Sequence, residues 1–183
     1  MLKKYFGTML ILLLNIFSIL IIVIAYITQQ AGIQIVVIQK IYWSLDTSWA
    51  MIRTVVMLLI LIGGSIILYL FRKKAILKRS LQWGLLMIIV GLIFGLSVFY
   101  GASCCDLPVS FLMGFPFSWL RGISDAQNRL PSPVLKYLYN NIGLIKWYLD
   151  YFCLFIDVLF WYNVGIVGYV IFNRKEVSLL PSI

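Results

Sequence analysis

MIRTVVMLLILIGGSIILYLFRKKAILKRSLQWGLLMIIVGLIFGLSVFY, residues 51–100, decides the architecture. Two apolar runs flank a short basic connector. Each run has the ~20 residues an α-helix needs to cross ~30 Å of hydrocarbon. The connector, FRKKAILKRS over 71–80, puts Arg72, Lys73, Lys74, Lys78 and Arg79 between them. Lysine and arginine concentrate on the cytoplasmic side of membrane proteins. The stretch therefore predicts an antiparallel transmembrane hairpin, with helices over about 51–71 and 81–100, that turns on the inner face.

Two further runs of the same kind lie outside it. The first, TMLILLLNIFSILIIVIAYI, covers about 8–27, and the other covers about 147–172. Across the chain 63% of residues are hydrophobic and 11% charged. A soluble domain carries about 25% charged residues, so the bilayer must act as solvent for most of this surface. The expected fold is all-α: four transmembrane helices in an antiparallel bundle, forming one membrane domain over 1–183. Lys3 and Lys4 precede the first run like the basic start of a signal peptide. The run is too long for a signal h-region, and Thr28, Gln29, Gln30 and Ala31 offer no A-x-A-like cleavage site. An uncleaved anchor is expected.

Orientation follows from the cations. With the N-terminus inside, the cytoplasmic segments 1–7, 72–80 and 173–183 hold Lys3, Lys4, Arg72, Lys73, Lys74, Lys78, Arg79, Arg174 and Lys175. The longer outer segments hold only Lys40, Arg53, Arg121, Arg129, Lys136 and Lys146. Both termini are thus expected in the cytoplasm of a multi-pass plasma or inner membrane protein. The net charge of +9 is explained by topology and anionic lipid contact rather than by a nucleic-acid partner.

The outer loops span 28–50 and 101–146. The second is rich in aromatics, proline and glycine, and reads as a re-entrant or surface-lying extracytoplasmic cap. Within it Leu135, Leu138, Ile142 and Ile145 recur at helical spacing after Pro131 and Pro133. Lys136, Tyr137, Tyr139, Trp147 and Tyr148 suit the head-group layer.

Chemistry is sparse. There is no histidine, the usual general base and metal ligand near neutral pH. The six acids, Asp46, Asp106, Asp125, Asp150, Asp157 and Glu176, are scattered. Neither a catalytic motif nor a cofactor or metal site is expected. Asp157, in CLFIDVLFWYNV, lies well inside the last run, where a carboxylate costs about 2.5–3.5 kcal/mol. Steps of three or four residues link it with Asp150, Cys153, Trp161, Gly165 and Gly168, a polar or small stripe that should face protein. Arg53 is the cation nearest in depth, so an Arg53–Asp150 or Arg53–Asp157 ion pair is one expectation. A protonatable transport site at Asp157 is another, and an Asp157 bonded to a partner protein or simply protonated is a third. Asn15, Ser18, Ser65 and Asn163 supply too few polar groups for an obvious proton path.

Cys104, Cys105 and Cys153 sit near the outer ends of their helices and form a candidate disulfide set without a C-x-x-C motif. Gly91 and Gly95 make G-x-x-x-G, with Gly84 on the same face, a surface for close helix packing inside the bundle or between copies. The loop GFPFSWLRG, 114–122, carries Phe115, Pro116, Phe117, Trp119 and Arg121, suited to a rigid turn or to docking a partner subunit. The expected function is a non-catalytic integral membrane subunit, packing within a larger membrane complex or with itself. The alternative is a small oligomeric transporter or channel that uses Asp157.

Overall fold

The computed structural model describes residues 2–30, 48–70, 76–97, 99–102, 109–124, 140 and 142–173. Among the described residues four α-helices dominate: α1 (Leu2–Gln30), α2 (Ser48–Leu70), α3 (Ile76–Ser97) and α4 (Tyr151–Phe172). All five prolines fall outside them, so no ring interrupts a hydrogen-bond ladder. Among the described residues, three helices carry stretches long and apolar enough to cross a membrane: Gly7–Ile24, Leu77–Ser97 and Tyr151–Phe172. The apolar stretch of α2, Thr54–Leu70, is shorter. At 1.5 Å per residue, the 22 residues of α4 reach about 33 Å.

The helices lie within a few residues of the positions that hydropathy predicts. The region between α3 and α4 differs more. It contains a four-stranded antiparallel sheet, β1 (Phe99–Ala102), β2 (Val109–Met113), β3 (Leu120–Ser124) and β4 (Lys146–Leu149), in the order β1-β2-β3-β4. Phe99 and Tyr100 are not the end of a helix; they pair with Met113 and Leu112. Trp147 and Tyr148 are not the start of one; they pair with Gly122 and Arg121. Ile142 belongs to a one-turn 3-10 helix, Ile142–Leu144, rather than to an α-helix, and Leu135 and Leu138 lie outside the described residues. Strand pairing gives backbone N–H and C=O groups within the segment their hydrogen-bond partners.

The chain forms two compact units. One comprises 1–91 with 158–183, the other 92–157. In the first, α4 is the helix that the others pack around. Half of its candidate span is buried, against 22% in those of α1 and α3. Glycine permits the approach. A Cβ on Gly165 would stand 2.5 Å from the carbonyl oxygen of Trp83 and 2.7 Å from the Cα of Gly84. One on Gly84 would meet the Tyr162 ring at 2.7 Å, and one on Gly91 would overlap the Trp161 indole. Leu68, Leu77, Tyr162 and Ile166 form the buried cluster, with Ile11, Leu12, Ile67, Leu81 and Ile88 against it. Trp83 and Tyr169 add a tilted ring contact at 6.3 Å.

The second unit is built on the sheet. Phe111, Gly122 and Trp147 lie in one cross-strand row. A Cβ on Gly122 would stand 2.7 Å from Ile145 and 2.8 Å from the Trp147 ring, so Trp147 packs over the sheet and its Nε1–H donates to the Ile142 carbonyl at 3.3 Å. Leu112, Arg121 and Tyr148 form the neighbouring row on the opposite face.

The contact between α3 and α4 makes a direct prediction. Gly91→Val forces a branched side chain against the Trp161 indole, an overpacking that costs about 1–3 kcal/mol. The thermal midpoint of the purified protein in detergent should fall clearly. Gly143→Val, at a position with open space around the glycine, should leave it nearly unchanged. Equal midpoints for the two variants would refute the packing.

Candidate functional site

In apolar helices, the side chains that can recognise or react are the polar ones, because each must find a partner. Two such groups stand out, one in each unit.

The first lies deep in the bundle. Asn15 on α1 and Asn163 on α4 are fully buried, each 0% exposed. Their amides bond reciprocally: Asn15 Nδ2 donates to Asn163 Oδ1 at 2.9 Å, and Asn163 Nδ2 donates to Asn15 Oδ1 at 3.0 Å. The remaining protons are also placed. Asn15 Nδ2 donates to Ser65 Oγ on α2 at 3.1 Å, and Asn163 Nδ2 to the Leu159 carbonyl at 2.7 Å. Ser65 Oγ–H in turn donates to the Leu61 carbonyl at 2.7 Å. Gly64 makes room, since a Cβ there would collide with the Asn163 amide. One closed network therefore links α1, α2 and α4. Its members are neutral, so it orients and locks rather than moving protons. Ser18, about one turn beyond Asn15 and also buried, has no hydrogen-bond partner among the described residues.

The second group surrounds Asp157. This residue is 0% exposed, and its Oδ1 accepts the backbone N–H of Phe117 at 3.0 Å. Phe117 belongs to the turn 114–119 between β2 and β3, which contains a cis Phe115–Pro116 peptide. Gly114 has φ +129°, a conformation side chains rarely allow, and a Cβ on it would strike the Phe117 carbonyl. The turn is fastened at several points. Gly114 N–H donates to the Gly95 carbonyl, and Trp119 N–H to that of Met113, both at 3.0 Å. Asp150 N–H donates to the Trp119 carbonyl at 2.7 Å. Asp157 thus holds a folded loop by its backbone.

Asp150 acts as the N-cap of α4. Its Oδ1 accepts the N–H groups of Phe152 and Cys153 at 3.1 and 3.2 Å, the second and third helical donors that a capping carboxylate serves. This explains why α4 starts at Tyr151. The side chain of Arg53 lies outside the described residues, as do Cys104 and Cys105. Cys153 is buried in the first turn of α4. Gly84 and Gly91 serve packing inside the bundle, while Gly95 sits beneath the turn, where a Cβ would stand 3.2 Å from Phe115 N. Of the anticipated docking loop, Pro116, Phe117 and Trp119 are buried in the unit itself. Arg121 is exposed, and its Nη2 reaches Ser110 Oγ at 3.3 Å.

In the sequence Asn15, Ser65 and Asn163 stand out only as a thin supply of polarity. The available signal was that three amide or hydroxyl groups, each near the middle of its own apolar run, suit a shared layer. No known protein family, curated protein or solved structure matches this chain. What the described residues define is a class: a helical bundle with three candidate membrane spans, in a chain that also forms a small antiparallel sheet.

A double-mutant cycle tests the network. Interhelical hydrogen bonds in membrane proteins contribute ~0.6 kcal/mol on average and up to ~1.7 kcal/mol. Asn15→Ala and Asn163→Ala should therefore show a coupling of about 1–2 kcal/mol for their two mutual bonds, measured by equilibrium unfolding in mixed micelles. Strictly additive effects would contradict the pairing.

Proposed function

We propose that this chain is a non-catalytic integral membrane protein that serves as a packing subunit of a larger membrane assembly, or of an assembly of its own copies. In this reading α1 to α4 cross the bilayer as an antiparallel bundle. Both termini lie on the cytoplasmic side of a plasma or inner membrane, in one membrane domain whose sheet and turn form an outer cap.

The observation that carries the proposal is how the polar groups within the helices are used. Asn15, Ser65 and Asn163 bond to one another and to helix carbonyls. Asp157 receives the N–H of a structural turn. Such bonding suits a scaffold. A transporter or channel reading would want a carboxylate lining a polar route, whereas Asp157 is buried against Phe117. The lipid-contact capacity is also large. Leu13, Leu59, Leu85, Ile89 and Ile93 are each at least 60% exposed, as lipid-facing or partner-facing side chains would be.

Extraction of the native membrane in a mild detergent, followed by size measurement and mass spectrometry, tests the assignment. The chain should run with other membrane proteins or with additional copies of itself. Recovery as a bare monomer, together with ion or solute flux in liposomes that Asp157→Asn abolishes, would replace it with the transporter reading.

A further inference from the structure

We draw no further inference here: the strongest candidate, the buried Ser18 hydroxyl on α1 about one turn beyond Asn15, adjoins the polar layer already described, and a single hydroxyl with no second observation beside it among the described residues points to no ligand.

Discussion

The reciprocal amide pair between Asn15 and Asn163 is the contact on which three of the four helices converge. An asparagine in an apolar helix carries two donor protons and a carbonyl that lipid cannot satisfy. The pair answers this by joining α1 to α4. Ser65 brings in α2, and Gly64 removes the side chain that would otherwise keep α2 away. Apolar packing alone is permissive about the rotation of one helix against another. Directional bonds to an amide are not, so this layer fixes which faces meet. α3 joins by a different device: Gly84 and Gly91 accept Tyr162 and Trp161 of α4. Polar locking on one side and close glycine approach on the other make α4 the axis of its unit.

The second unit applies the same constraint to loop backbone. A segment rich in aromatics, proline and glycine still has peptide groups that need partners wherever they are buried. Four short strands pair with one another. The turn between β2 and β3 is caught by the Gly95 carbonyl, by Asp150 N–H and by the Asp157 carboxylate. Asp157 and Asp150 thereby both take architectural work, one holding a turn and the other opening α4. An acid buried in a long apolar helix is usually suspected of ion or proton handling. Here one observed partner is a peptide N–H, which supports a scaffolding part in the proposed assembly.

The helices were legible because hydropathy over twenty residues is a collective signal that no single residue can spoil. Predicted 8–27, 51–71, 81–100 and 147–172 became 2–30, 48–70, 76–97 and 151–172. The late start of α4 was encoded in Asp150, whose capping role is a local signal that the apolar run obscures. The sheet was not legible. Its strands are four or five residues long, and β3 meets β4 across a long connection, so no local turn announces the pairing. The inward placement of Asp157 could be inferred from its cost in lipid. Its contact with Phe117 N–H could not, since backbone donors are invisible in a list of side chains. The glycine stripe was apparent, but not that Gly91 meets Trp161 while Gly95 lies under the 114–119 turn.

The most direct test of the central claim is nuclear magnetic resonance of the side-chain amides of Asn15 and Asn163, in the asparagine-labelled chain reconstituted in lipid. If the two amides close on each other inside the bundle, their Nδ2 protons should persist long after transfer to deuterated water and show contacts across α1 and α4. Rapid exchange of either side chain, with no signal linking the two helices, would show that the polar lock does not exist.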